Sequence, residues 1–241
     1  MLCGECRQEE RAFDLARSYG LYAGPLRGAI LQMKFRRRER VGKRLGELLA
    51  QVWTAAEEAE PLVPFQLTPT IGQPVLPRPG CDRVGQGERA EIVGTALVVP
   101  APLHPSRKRE RGFNQAELLA RGLVRKLGRS GGKPGPRVET NCLTRIRATV
   151  PQTGLSLAAR RENVQGAFAV ERPERVRGRT VVLIDDVMTT GATLSACAIA
   201  LKRAGALRVL ALTLARATPQ FPDFSDAAPR IPVDEFGRNQ P

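Results

Sequence analysis

The sequence predicts an α/β fold in which helices flank a twisted, mainly parallel sheet, and three neighbouring segments support this prediction. Residues 181–184 are four apolar residues that run directly into two aspartates, as expected for a buried central strand of a parallel sheet. Residues 194–204 then carry apolar side chains at helical spacing. A further apolar strand over 206–215 completes a strand–helix–strand unit. Such sheets bind ligands at the carboxyl ends of their strands.

The loop between that strand and that helix has the chemistry to bind a phosphate monoester. Gly191 permits backbone conformations that other residues avoid, so successive N–H groups can converge on one anion. Threonine hydroxyls and the partial positive charge of a helix amino terminus add to the attraction. The residues that we predict to bind phosphate are Thr189, Thr190, Gly191, Ala192 and Thr193. The chain contains neither G-x-x-x-x-G-K-[ST] nor G-x-G-x-x-G, which argues against a P-loop nucleotide triphosphatase and a dinucleotide-binding protein.

The two aspartates, Asp185 and Asp186, adjoin this predicted phosphate site. Carboxylates beside a phosphate repel it unless ribose hydroxyls, a cation or both lie between them. We therefore predict that Asp185 and Asp186 bind such hydroxyls or a cation, and the family resemblance described below makes them the predicted catalytic residues. The alternative is a strand that ends in two solvated acids before a capped helix.

A second strand, over residues 95–100, is followed by a basic segment and then by a helix over 114–127. Because this is another strand-to-helix connection, its cations can face the same ligand edge as the aspartates. Cations in that position would neutralise a pyrophosphate leaving group. The residues that we predict to bind pyrophosphate are Arg107, Lys108, Arg109 and Arg111. His104 precedes them, and we favour a structural role for it over proton transfer.

The composition is that of a globular protein with a strong positive charge. Of the 241 residues, 42% are hydrophobic and 26% are charged, and no apolar run approaches a membrane span. No signal peptide is visible, so we expect a cytoplasmic protein. The formal net charge of +14 favours polyanionic partners, either nucleic acid or a ligand with several phosphates, although a bias of the genome toward arginine codons is an alternative.

The rest of the sequence indicates one main domain, with an insertion and a carboxyl-terminal tail that lack regular secondary-structure patterns. We predict one domain at 16–216, a Pro/Gly-rich insertion within it at 61–92 and a disordered tail at 217–241. Residues 141–170 have the pattern of two short strands joined by a polar loop. This pattern predicts a flap or hood over the site, and the alternative is a surface hairpin. The flap residues that we predict to face the ligand are Arg145, Arg147 and Gln152. Further elements are predicted as a strand over 18–22 and helices over 26–35 and 39–59.

Several of these segments together resemble the ComF family, phosphoribosyltransferase-like proteins associated with DNA uptake in competent bacteria. The residues that carry the resemblance include the segment from Arg111 to Gln115, which reads R-G-F-N-Q, and the segment from Val182 to Thr193, which contains D-D-x-x-T-T-G-x-T. The resemblance implies a type I phosphoribosyltransferase fold, with phosphoribosyl pyrophosphate (PRPP) and Mg²⁺ as ligand and cofactor. By that resemblance, the acids would hold the 2′- and 3′-hydroxyls of the ribose and the Thr/Gly loop its 5′-phosphate.

Members of that family commonly carry an amino-terminal zinc module with two C-x-x-C pairs. This chain has a single such pair, Cys3 and Cys6, so residues 1–15 read as the remnant of a zinc-knuckle module. A closed structural zinc site needs four ligands, and two thiolates do not complete it. Zinc binding by Cys3 and Cys6 is therefore in doubt, and a reduced pair of surface thiols is the alternative.

Two functions from different classes are compatible with the sequence. The first is an enzyme that transfers a 5-phosphoribosyl group from PRPP to an acceptor that no segment identifies. The second is a non-catalytic protein that binds nucleotides or single-stranded DNA during DNA uptake, in contact with competence proteins. The net charge favours the second, whereas an aromatic content of 5% offers few platforms on which bases can stack.

Overall fold

The computed structural model describes residues 12–35, 39–58, 96–128, 135–147 and 157–218. Four features of the sequence lie outside these residues: the cysteine pair at 3 and 6, the 61–92 insertion, the flap residue Gln152 and the tail from 219 onward. Within the described ranges no helix is long and apolar enough to cross a membrane.

The described chain alternates strands and helices. The strands are β1 (Leu15–Leu21), β2 (Leu97–Pro100), β3 (Arg137–Val138), β4 (Leu143–Arg145), β5 (Phe168–Val170), β6 (Thr180–Met188) and β7 (Arg208–Arg216). The helices are α1 (Gly24–Phe35), α2 (Glu39–Glu58), α3 (Pro105–Arg111), α4 (Gln115–Leu127), α5 (Leu157–Val164), α6 (Pro173–Val176) and α7 (Ala192–Arg203).

Five strands form one sheet in the order β1-β7-β6-β2-β3, and every pair in it is parallel. The predicted α/β fold with a mainly parallel sheet is confirmed. The aspartate-bearing strand β6 lies in the middle of this sheet, between β7 and β2. The strands β4 and β5 form a separate antiparallel pair, in the segment predicted as a flap.

Three local features differ from the sequence prediction. Strand β6 continues past the aspartates because its pairing with β7 persists to Met188, which lies opposite Arg216. The basic segment after β2 contains the short helix α3, whereas the sequence predicted a plain connection. Strand β3 was not predicted, since two residues are too few to show a period.

The core consists of two apolar layers, one on each face of the sheet. Alternate residues of β6 supply them, because successive side chains of a strand point to opposite faces. Val182 and Ile184 pack with buried residues of α1, α2 and α4, and Val181 and Leu183 pack with buried residues of α7. Each layer is therefore tied to the strand that carries the aspartates.

Helices α2 and α4 approach each other closely through glycines. A Cβ atom built on Gly122 would lie 2.3 Å from the carbonyl oxygen of Lys43, and one on Gly46 would lie 2.4 Å from that of Leu119. Real Cβ atoms do not approach backbone oxygens so closely, so glycine is required at both positions. This contact holds α4, and with it the loop after β2, against the rest of the helical layer.

We predict that Gly122→Ala lowers the free energy of unfolding by about 1–3 kcal/mol, the usual cost of overpacking. Gly28→Ala is the matched control, because it also lies in a helix and a Cβ there meets nothing within 4 Å. The control should be neutral or more stable by up to about 1 kcal/mol. Urea unfolding of both variants measures this, and equal stabilities would contradict the close contact.

Candidate active site

The two aspartates of β6 lie on opposite faces of the sheet. Asp185 continues the row of Val181 and Leu183, and its charge is felt by the buried thiol of Cys197 on α7. Asp186 continues the row of Val182 and Ile184, on the face covered by α1. One hydrogen bond joins the two residues, since the Asp186 N–H donates to Asp185 Oδ1 over 2.9 Å. The pair thus presents two carboxylates with different surroundings at one edge.

Asp186 forms a buried ion pair with a lysine that the sequence analysis did not select. Lys34 Nζ lies 3.1 Å from Asp186 Oδ2, and the two side chains are 6% and 13% exposed. Lys34 is the last basic residue of α1, and its neighbour Met33 is fully buried in the core. Helix α1 therefore places the ammonium of Lys34 beside Asp186, on the face of the sheet that α1, α2 and α4 cover.

Asp185 has a pKa of about 7, well above the ordinary value for an aspartate. Burial of the carboxyl group is the main cause, and the neighbouring charge of Asp186 raises the pKa further. The Asp186 N–H, Lys34 and Arg145 act in the opposite direction and favour the charged form. Near neutral pH this carboxyl can therefore exchange a proton, which is the range in which acid–base groups are useful.

The predicted phosphate loop connects β6 to α7 through a left-handed residue. Gly191 has φ +80° and precedes the first residue of α7, Ala192. A side chain would find room there, so the backbone angle, and not crowding, requires glycine. The Thr190 hydroxyl accepts the Ala192 N–H over 3.2 Å, and the Gly191 carbonyl accepts the Ser195 N–H over 2.8 Å. The loop is thus ordered at the amino terminus of a 12-residue helix, where the helix dipole attracts an anion.

The loop after β2 is fixed beside the aspartates by its own backbone bonds. The Ala101 N–H donates to the Ile184 carbonyl over 2.8 Å, one residue before Asp185. Asn114 Nδ2 donates to the Ala101 carbonyl over 3.0 Å, and Asn114 Oδ1 accepts the Ala116 N–H at the start of α4. The R-G-F-N-Q motif therefore has a structural task, because its asparagine clamps this loop to a helix.

The four basic residues predicted to bind pyrophosphate lie on α3 and divide into two pairs. Lys108 and Arg109 are exposed and line a cavity of about 800 Å³ next to the loop. Arg107 and Arg111 are half-buried and do not line it. His104 caps α3, since its Nδ1 accepts the Ser106 N–H over 3.3 Å. The structure therefore places two of the four predicted cations at the cavity.

The cavity extends from the loop after β2 to the hairpin of β4 and β5. Arg145 on β4 lines it, and the charge of Arg145 also lowers the pKa of Asp185. The cavity is not uniformly basic, because Glu117 and Glu171 line it together with Arg172. Arg145 thus connects this cavity electrostatically with the aspartate pair.

The three predicted flap residues have different positions. Arg145 lies at the cavity and stacks over the Phe168 ring at 5.5 Å. Arg147 is exposed and donates to the carbonyls at the end of α5, including that of Gln165 over 2.6 Å, so it ties the hairpin to that helix. The position of Gln152 lies outside the described residues.

Mg²⁺ is compatible with this donor set when a ligand contributes oxygens. Mg²⁺ in phosphate sites is held by one or two carboxylates plus substrate oxygens and water. Asp185 and Asp186 are the acids that the described residues offer at this edge, and nowhere in the described chain do three or more His, Cys, Asp or Glu side chains group to hold a metal. The residues present thus suit an ion that arrives with a phosphorylated ligand.

Known proteins resemble this chain in sequence. A family model for the phosphoribosyl transferase domain matches residues 111–228. The DNA utilization protein YhgH of Escherichia coli (strain K12) is 32% identical over 214 residues, which cover 89% of this chain and 77% of that protein. Competence protein F of Haemophilus influenzae is 31% identical over 217 residues, which cover 89% and 78%. A hypoxanthine phosphoribosyltransferase structure from Staphylococcus aureus is 14% identical with a TM-score of 0.33, over 54% of this chain and 56% of that one.

The parallel sheet, the strand–Asp–Asp–Thr/Gly–helix unit and the matching family model define a protein of the type I phosphoribosyltransferase fold. Within that class, the chain belongs to the ComF family, together with competence protein F and the DNA utilization protein YhgH. The resemblance noted in the sequence is thereby confirmed.

The raised pKa of Asp185 predicts a pH dependence of stability. Between about pH 4 and pH 7 the folded state keeps the Asp185 proton, whereas the unfolded state, with a pKa near 3.8, releases it. Stability therefore falls as the pH rises through this window and levels off above about pH 7. Asp185→Asn removes this contribution, so the variant should gain stability relative to the wild type as the pH rises from 4.5 to 8. Urea unfolding across that range measures the difference, and parallel pH profiles would contradict the assignment.

Proposed function

We propose that this protein binds PRPP with Mg²⁺ and transfers its 5-phosphoribosyl group to an acceptor. The observation that carries the proposal is the convergence at one sheet edge of two carboxylates, a threonine–glycine loop at a helix amino terminus, and a cation-lined cavity. Ribose hydroxyls, a 5′-phosphate and a pyrophosphate are the three parts of PRPP. Each has a chemically matched group at this edge.

In this proposal each group of the chain contacts a defined part of the ligand. Asp185 and Asp186 accept hydrogen bonds from the ribose 2′- and 3′-hydroxyls, and residues Thr189 to Thr193 donate to the 5′-phosphate. Lys108, Arg109 and Arg145 receive the negative charge that develops on pyrophosphate as the bond from C1′ to its oxygen breaks. When bound, Mg²⁺ would be held by the two aspartates and ligand oxygens and would neutralise phosphate charge. The transition state resembles an oxocarbenium ion, so the protein needs no covalent nucleophile.

A second candidate is a non-catalytic nucleotide- or single-stranded-DNA-binding protein in DNA uptake. The formal net charge of +14 favours it, and so do the names of the relatives, which refer to DNA utilization and competence. The same edge would then sense a phosphoribosyl ligand without turnover. In either case we propose a cytoplasmic site of action, consistent with Cys142 and Cys197, which are both free thiols.

The first test concerns the aspartates. At ~100-fold its dissociation constant, a ligand stabilises the folded state by ~2.7 kcal/mol. Wild-type protein should show the corresponding rise in melting temperature with PRPP and Mg²⁺, and the double variant Asp185→Asn/Asp186→Asn should show none relative to its own ligand-free value. Asp14→Asn is the control, because Asp14 pairs with Lys202 in the last turn of α7 and accepts the Val209 N–H at the start of β7, away from the carboxyl edge. An undiminished rise in the double variant would refute the site.

The second test asks whether the positively charged residues bind PRPP or nucleic acid. Lys108→Gln/Arg109→Gln removes the two exposed cations of the cavity, and Arg40→Gln/Arg44→Gln removes two exposed cations of α2. A hydrogen bond to a charged group contributes about 1.5–3 kcal/mol, so the first variant should lose at least tenfold in PRPP affinity and the second none.

Both variants are also titrated with labelled single-stranded DNA across a range of salt. A nucleic-acid track on α2 would give the wild type a log–log slope of ~0.7 per neutralised phosphate, reduced in the Arg40/Arg44 variant. Release of pyrophosphate from PRPP in the presence of a panel of bases distinguishes the enzyme from the binding protein. Unchanged PRPP affinity in the Lys108/Arg109 variant would overturn the pyrophosphate assignment.

A further inference from the structure

Among the described residues, Lys34 is the cation that reaches the aspartates from outside both the strand–loop–helix unit and the cavity. Its ammonium lies 3.1 Å from Asp186 Oδ2, and the residue is 7% exposed. A buried carboxylate that accepts a hydrogen bond from an ammonium has fewer lone pairs left for a ligand. The same oxygens are those that a divalent cation or a ribose hydroxyl would need.

The aspartate pair has counter-charges before any ligand arrives, and the charge of Lys34 acts on both acids. Because successive residues of β6 face opposite ways, Lys34 reaches Asp186 from the α1 face. Arg145 acts on Asp185 from the β4 hairpin. A divalent cation that approaches the aspartates therefore meets carboxylates that are already partly neutralised, and it must displace an ammonium or share an oxygen with it.

The local structure allows such a displacement without moving the helix. Ile30 and Met33 on α1 are fully buried and hold the helix in the core. Lys34 lies in the last turn of α1, and its four-carbon side chain can change rotamer while the backbone stays in place. The displacement that we infer involves the Lys34 side chain and leaves the backbone of α1 in place.

We propose that Lys34 is a positioning residue that holds Asp186 in the ligand-free protein and excludes divalent cations until a phosphorylated ligand binds. The ligand supplies phosphate oxygens that accept the displaced ammonium, together with further oxygens for the cation. Metal binding is thereby coupled to ligand binding. The inference rests on the proposed function for the identity of the ligand, whereas its metal arm needs no PRPP.

The experiment uses the full chain and Mn²⁺ as the probe, with free Mn²⁺ measured by electron paramagnetic resonance in the absence of ligand. Lys34→Gln should bind Mn²⁺ at least tenfold more tightly than the wild type, because the competing ammonium is gone. Lys202→Gln is the matched control, since Lys202 forms an exposed ion pair with Asp14 over 2.7 Å. It should match the wild type.

Lys34→Arg tests the same idea while keeping the charge and the ion pair. A guanidinium can hold both carboxylate oxygens, so this variant should fold and should bind Mn²⁺ more weakly than the wild type. It remains informative if Lys34→Gln does not yield folded protein. Unchanged Mn²⁺ affinity in Lys34→Arg, or in folded Lys34→Gln, would overturn the proposal.

A second arm measures PRPP affinity at saturating Mg²⁺ by calorimetry. Here Lys34→Gln should bind several-fold more weakly than the wild type, because the phosphate oxygens lose their ammonium partner. The proposed coupling predicts that Lys34→Gln changes the two affinities in opposite directions, raising that for Mn²⁺ and lowering that for PRPP. If the ion pair only supported the fold of the site, Lys34→Gln would weaken the binding of both Mn²⁺ and PRPP, and that result would refute the coupling. A further outcome is that Lys34→Gln binds Mn²⁺ more tightly while the wild type does not bind PRPP at all. That combination would support the exclusion of cations by Lys34 and would refute the proposed function.

Discussion

Successive residues of β6 point to opposite faces of the sheet, and this rule separates the two carboxylates on which the site depends. Asp185 lies on the side of α7 and Asp186 on the side of α1, so each meets a different set of neighbours. Adjacent acids on one face would repel each other strongly. Burial and the nearby charge of Asp186 raise the pKa of Asp185 to about 7, whereas the Asp186 carboxylate is held by Lys34. The pair is thus two groups with different chemistry.

The second element of the site, the loop after β2, depends on the same strand. Its first residue, Ala101, is bonded to the backbone of Ile184, and Asn114 fastens it to α4. Helix α4 is itself held by the glycine contact with α2. These hydrogen bonds and the close helix packing therefore set the distance between the aspartates and the cations of the cavity. A longer, unsupported loop would not fix that distance.

The sequence predicted those parts of the fold that have long, regular patterns. The apolar run before Asp185 and the helix after Gly191 have such patterns, and the structure contains both. Helix α3 was missed because its residues are almost all charged, so no apolar period shows. Lys34 was missed because helical spacing places it next to core residues of α1 and gives no sign of an aspartate about 150 residues further along the chain. Only the parallel sheet brings these two residues together.

The net positive charge and the chemistry of the site are separate properties. Exposed cations such as Arg40 and Arg44 act on polyanions over a Debye length of about 8 Å in physiological salt and are weakened by it. Lys34 is buried, so salt screens its interaction with Asp186 far less. Counting arginines therefore predicts general attraction to phosphate-rich partners, whereas selectivity for a particular ligand requires fixed, desolvated charges. In this chain those charges lie at the carboxyl edge of β6, at Lys34 and Arg145, and not on the outer face of α2.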